Sequence, residues 1–157
     1  MKKLFTVMLI FALTLAFCAC GGSKAPEVPD MQAVYDKLME TEGMPEMIVV
    51  PADVAETLLG IAPADCRQAL TAVCQVSLQA DEIWLIEAVD SAAAARIAGL
   101  AQARLEQKSA ELENYLPEQY KVVQEARIIS SGNCVVMLIS PQVDLLSAVL
   151  KDSYGLA

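Results

Sequence analysis

Hydrophobic positions change their period several times along this chain, and each change marks an element. From Asp30 to about Glu42, Met31, Val34, Tyr35 and Leu38 form one stripe of a 3.6-residue repeat. That spacing predicts a helix capped by Asp30 and stopped by Gly43. Ile48-Val49-Val50 reads as a short strand or extended arm, and Ala52 to Leu59 as a short helix ended by Gly60. From Leu70 to Leu78 the even positions Leu70, Ala72, Cys74, Val76 and Leu78 are apolar, which predicts a half-buried strand. After a turn at Gln79-Ala80-Asp81, the run Glu82 to Val89 places Ile83 and Leu85 on one side and Trp84, Ile86 and Ala88 on the other. A strand apolar on both faces belongs in the middle of a sheet.

The period then returns to 3.6. Asp90 or Ser91 caps a long helix to about Glu113, with Ile97, Leu100, Ala101, Leu105 and Leu112 on the buried side. Arg96, Arg104, Glu106, Lys108 and Glu111 are expected largely outside. Their mixed charge argues against a helix lying on a membrane surface, which favours a Lys/Arg excess. Pro117 opens a short helix to about Glu125, and Ala126 to Ser130 and Cys134 to Ser140 make a hairpin around Ser131-Gly132-Asn133. Pro141 breaks the last strand, and Gln142 to Lys151 reads as a final helix. The order implies an α+β fold in two layers, an antiparallel-rich four-stranded sheet packed on one face by a long helix and shorter helices.

The first residues follow a different logic. Met1-Lys2-Lys3 is a cationic start, and Leu4 to Phe17 is fourteen residues without a charge. A membrane span needs about 20 apolar residues, so residues 1–19 read as a signal peptide that is removed. Cleavage is expected between Ala19 and Cys20, where a small residue precedes a cysteine followed by Gly21-Gly22. This resembles the bacterial lipobox, whose cysteine carries a diacylglycerol after processing. Phe17 and Cys18 stand where that pattern has Leu and a small residue, and an ordinary secretory signal cut nearby is the alternative. Residues 20–29 then form the lipidated cysteine and a flexible tether with Pro26 and Pro29, which reaches at most about 30 Å. Residues 30–157 are expected to make one domain.

Composition removes whole classes of function. The chain has 157 residues with a net charge of −9, and loss of Lys2 and Lys3 with the signal takes this two lower, to −11. Such a surface repels phosphate backbones, so nucleic acid is not an expected partner. It also repels anionic lipid, which leaves the acyl chains at Cys20 as the expected hold on the membrane. The sequence contains no His. His-based triads and His-containing zinc or copper sites are thereby excluded.

The remaining candidate chemistry is sparse. Cys66, Cys74 and Cys134 are an odd number in an exported chain; Cys74 and Cys134 can pair if they lie on neighbouring strands, but their apolar settings favour three small buried residues without a bridge. Met44 and Met47, with Met31 and Met39, have the composition of a soft metal site, yet their spacing fits the edge of a core better, so no metal or other cofactor is expected. Asp81, Glu82 and Glu87 are the candidate acid and base of a glycan-cleaving site. Adjacent strand residues face opposite ways, so Asp81 and Glu82 are expected not to converge but to form an exposed turn and strand end. Tyr115 and Tyr120 are a possible ligand platform, read more simply as anchors of the helix junction to the core.

Taken together, Ala80 to Ala88, Arg104-Leu105-Glu106-Gln107-Lys108, Asn114 to Tyr120 and Gly132-Asn133 resemble the domain-of-unknown-function family 4358, found in predicted lipoproteins of Firmicutes. The resemblance spans roughly Met31 to Lys151, and Cys134 stands where an aromatic residue such as Tyr is expected. It implies a lipid-anchored domain on the extracytoplasmic face of the cell membrane and assigns no catalytic residue. The expected function is a membrane-tethered module that binds a protein or glycan partner. The alternative is a carboxylate-dependent enzyme acting on cell-wall glycans.

Overall fold

The computed structural model describes residues 29–154. The proposed signal peptide, Ala19 and Cys20 lie outside the described residues. In chain order the elements are α1 (Met31–Met39), β1 (Met47–Val50), α2 (Ala52–Leu59), a 3-10 turn (Pro63–Asp65), β2 (Cys66–Cys74), β3 (Glu82–Ala88), α3 (Ser91–Leu112), α4 (Pro117–Gln124), β4 (Arg127–Ser131), β5 (Cys134–Ile139) and α5 (Val143–Tyr154). The strands form a fully antiparallel sheet in the order β1-β2-β3-β5-β4. The fold is α+β.

Local chemistry sets most boundaries. The Asp30 carboxylate accepts from the Gln32 amide at 3.1 Å, and Asp90 accepts from Ala93 at 2.8 Å, satisfying amides that a helix start leaves bare. Gly60 ends α2 at φ 73°, a left-handed value that favours glycine, and a Cβ there would lie 3.3 Å from the Leu100 side chain on α3. The same residue therefore stops α2 and lets α3 approach it.

The sheet has five strands, one more than the four expected from the sequence, because Met47–Val50 pairs with β2 as an edge strand. β2 also lies further toward the N-terminus than the Leu70 to Leu78 alternation suggests. Its polar start is held by the ladder: Gln68 pairs with Glu87, and its amide donates to the Glu87 carboxylate at 3.0 Å. At the other end the Cys74 amide bonds to the Asp81 carbonyl at 2.9 Å, and Val76 and Leu78 lie exposed beyond the sheet.

Helices cover both faces rather than one, because the inner strands are apolar on both sides. Ile83 and Leu85 of β3, with Val136 and Leu138 of β5, pack under Val34 and Leu38 of α1 and Leu146 and Leu150 of α5. Trp84 and Ile86, with Val135 and Met137, pack under Ala93, Ile97 and Ala101 of α3 and Val123 of α4. Burying large side chains such as these contributes about 1.5–3 kcal/mol each. The small alanines of α3 let that helix lie close over Trp84, which is fully buried.

Candidate functional site

A cleft of about 510 Å³ opens on the face of the sheet that carries α3. Its floor is built by register: Ile48 of β1 stands opposite Val73 of β2, and Val50 opposite Thr71, so these side chains share the face of Trp84. One wall is α2, which contributes Val54, Leu58 and Leu59. The other is α3, which contributes Arg104, Gln107 and Lys108, and the β2–β3 connection closes the end with Gln79 and Asp81. One side of the cleft is thus branched and apolar, the other cationic and amide-bearing.

α2 is the least embedded helix beside this cleft. Only Ala55 of its eight residues is buried, and Leu58 is 69% exposed. A smaller cavity of about 50 Å³ lies between α2 and the sheet, lined by Ala55, Ile61 and Thr71 among others. The buried Thr71 hydroxyl has no hydrogen-bond partner among the described residues.

The cationic wall rests on a buried carboxylate. Glu82 is 0% exposed, in contrast to the surface position expected from its place beside a turn. Arg104 donates to it through Nε at 3.1 Å and Nη2 at 3.0 Å, the Lys108 ammonium lies 3.0 Å from Oε2, and the Trp84 indole N–H donates to Oε1 at 2.8 Å. Lys108 also donates to the Ala80 carbonyl at 2.9 Å. Burial alone raises the Glu82 pKa, but Arg104 and Lys108 outweigh it and hold the carboxyl below its ordinary value. Glu82 is therefore an ionised anchor.

Arg104 and Lys108 correct the expectation that both lie largely outside. Their side chains are 21% and 13% exposed. They stand four residues apart on the flank of the α3 apolar stripe, where long side chains can cover the sheet edge while their charged ends reach Glu82. The available signal was a lone Glu opening the apolar run Ile83-Trp84-Leu85-Ile86, together with that Arg/Lys spacing.

The other candidate acids have hydrogen-bond partners different from those of Glu82. Asp81 is also buried, at 4% exposure, contrary to the expected exposed turn. It sits beside Ser140, one of its oxygens lacks a partner among the described residues, and burial raises its pKa. Glu87 lies five residues along β3, roughly 17 Å from Glu82, and is engaged by Gln68 and Arg67. Strand alternation sends Glu87 to the face opposite Glu82, whereas Asp81, just before β3, lies at the end of the cleft where Lys108 acts on it as well as on Glu82.

The remaining candidates are structural or isolated. Cys66, Cys74 and Cys134 are free thiols. Cys74 and Cys134 are not on neighbouring strands: β3 separates β2 from β5, and Cys134 stands opposite Glu87 at the far end from Cys74. Met39, Met44 and Met47 pack against the α1/α5 core, and the Tyr154 hydroxyl donates to Met31 Sδ at 3.1 Å. Tyr115 is 73% exposed and does not anchor the helix junction; Tyr120 is half-buried. Among the described residues no helix is long and apolar enough to cross a membrane.

No curated protein and no solved structure matches the chain. A family profile does match, over residues 45–140, a span that contains both walls and the floor of the cleft. The match covers more than half of the sequence and agrees with the resemblance carried by Ala80 to Ala88 and Asn114 to Tyr120. The chain belongs to the DUF4358 family, a domain of unknown function.

Proposed function

We propose that this protein is a lipid-anchored binding module on the extracytoplasmic face of the cell membrane, with the α2–α3 cleft as its ligand site. The observation that carries the binding role is the cleft itself, in which exposed Leu58 and Ile48 face Arg104 and Lys108 across an open sheet floor. A volume of about 510 Å³ falls within the range of roughly 300–1,000 Å³ typical of ligand sites. The anchoring role rests on the short apolar leader and the Ala19-Cys20-Gly21-Gly22 sequence.

The geometry suits the two roles to one molecule. Residue 31 begins α1, and its amide bonds to Gln68 near the start of β2. The cleft lies toward Cys74 at the other end of that strand, roughly 20 Å from Gln68 along six residues. A tether entering at Met31 leaves the cleft at the end of the sheet remote from the attachment point. Crosslinking in living cells followed by mass spectrometry tests the reading. Protein or glycan adducts mapping to the α2–α3 cleft are expected; adducts spread evenly over the surface overturn it.

A further inference from the structure

The outer edge of β1 is open, and the ladder on its inner side fixes what that edge presents. The Gln75 amide donates to the Glu46 carbonyl at 2.9 Å, and the next amide of β2, that of Cys74, donates the other way, to the Asp81 carbonyl. Backbone groups alternate in an antiparallel pair, so Glu46, Ile48 and Val50 turn their N–H and C=O toward β2. Met47 and Val49 turn theirs outward, and Pro45 and Pro51 flank them at the next positions of the outward set. β1 ends the sheet, and the Met47 and Val49 amides have no hydrogen-bond partner among the described residues.

The side chains of that edge are as uncovered as its backbone. Ile48 is 50% exposed on the face that carries α3, and Val49 is 45% exposed on the face that carries α1 and α5. No charged residue lies within Met47–Val50. Sheet edges are commonly blunted by charge or by proline. Here the prolines stand at both ends of the strand, so they limit its length without closing it. An incoming strand therefore meets two N–H donors, two residues apart, between two positions that have none.

We propose that the strand that fits is β1 of a second copy of this chain, paired antiparallel about a two-fold axis at Ile48. Met47 of each copy then stands opposite Val49 of the other, and every outward N–H and C=O of both residues finds a partner. Centring the pair on Met47 sets Val49 opposite Pro45, and centring it on Val49 sets Met47 opposite Pro51; a proline has no N–H for the facing carbonyl. In the Ile48 register the two Ile48 side chains meet, Val49 lies beside Met47, and Glu46 falls opposite Val50 rather than opposite its own counterpart. One antiparallel sheet runs through both copies, and the axis is normal to it, so the two α2–α3 clefts open on the same side. Each copy carries a net charge of −9, so repulsion opposes the contact and salt strengthens it. The dimer goes beyond the binding-module reading and does not depend on it.

Disulfide trapping of the full chain in living cells tests this. In the Ile48 pair the Cα atoms lie about 4.5 Å apart, within the roughly 4.4–6.8 Å that a disulfide spans, whereas Val49 and its counterpart form a diagonal pair about 7–8 Å apart. Diamide is the oxidant and takes up the two electrons and two protons that the new bond releases. Ile48→Cys is expected to yield a reducible species of twice the chain mass, while Val49→Cys, and Leu145→Cys on exposed α5, stay at the level of the parent. Adding Val49→Pro to Ile48→Cys deletes an outward N–H, leaves the β1–β2 ladder in place and is expected to abolish the species. No dimer above the parent level, equal yields from all three cysteine variants, or a disulfide only to a different protein overturns the proposal. A dimer that survives Val49→Pro overturns it as well. If the Val49→Pro chain does not fold, the contrast between Ile48→Cys and Val49→Cys decides by itself.

Discussion

Arg104 reaches Glu82 across 22 residues of sequence and binds it through two different nitrogens, joining the middle of α3 to the first residue of β3. The pair links the fold to the cleft: the same contact that neutralises a buried carboxylate places Arg104 and Lys108 along the cleft wall. Removing one partner of a buried, hydrogen-bonded pair costs about 3–5 kcal/mol, because the other charge is left without compensation. Glu82→Ala, which also strips the Trp84 indole of its acceptor, is expected to lose stability in that range in urea unfolding. Glu82→Gln, which retains an oxygen for the indole, is expected to lose about 1–3 kcal/mol. A Glu82→Ala protein as stable as the parent contradicts the anchor role.

The two neighbouring acids respond to pH with opposite signs. Glu82 has a folded-state pKa below its ordinary value, after Arg104 and Lys108 outweigh burial, so its contribution is present above the unfolded pKa and is lost as pH falls through the folded one. Asp81 is raised by burial, so the folded protein holds that proton more tightly than the unfolded chain, and stability declines as pH rises from the ordinary carboxylate pKa toward the raised one. Asp81→Asn is therefore expected to stabilise the protein at neutral pH and to have less effect in acid. Glu82→Gln is expected to flatten the loss of stability in acid. Urea midpoints measured across the acid range check both signs.

How far the sequence exposed this arrangement depends on whether the decisive partner was local. The α1 stripe at Met31, Val34, Tyr35 and Leu38, the two-faced run from Ile83 to Ala88 and the turn at Gly132 each carry their signal within one segment. Their positions and the α+β class follow from it. β1 did not announce its pairing, because four residues with two exposed side chains form a strand only once β2 lies alongside. The alternation from Leu70 to Leu78 overshoots β2 because Val76 and Leu78 continue it after the ladder has ended. The burial of Glu82 depends on Arg104 and Lys108, far along the chain, and surface base rates for acidic residues point the other way.

The three cysteines are expected to remain thiols. β3 separates Cys74 from Cys134, and burial raises the pKa of both Cys66 and Cys134, which slows their reaction in the folded state. Alkylation after unfolding without reductant should modify all three, with intact mass as the readout. A two-proton deficit before reduction contradicts this.

Anchoring makes a separate prediction. Cys20→Ala is expected to abolish metabolic labelling by a radioactive fatty acid and to impair removal of the leader, because the thiol is the proposed site of the diacylglycerol. Labelling and membrane retention equal to those of the parent contradict the lipid anchor while leaving the cleft untouched.

The central claim, that the α2–α3 cleft is the working surface, is tested most directly by placing a photoreactive amino acid at Leu58 and, in a second protein, at Leu145. Both positions are exposed, but Leu58 lines the cleft and Leu145 lies on α5, which covers the other face of the sheet. Irradiation of living cells is expected to yield a discrete adduct from Leu58, weakened by Lys108→Gln, and none at comparable yield from Leu145. Equal adducts from both positions, or an adduct from Leu145 alone, would contradict the account.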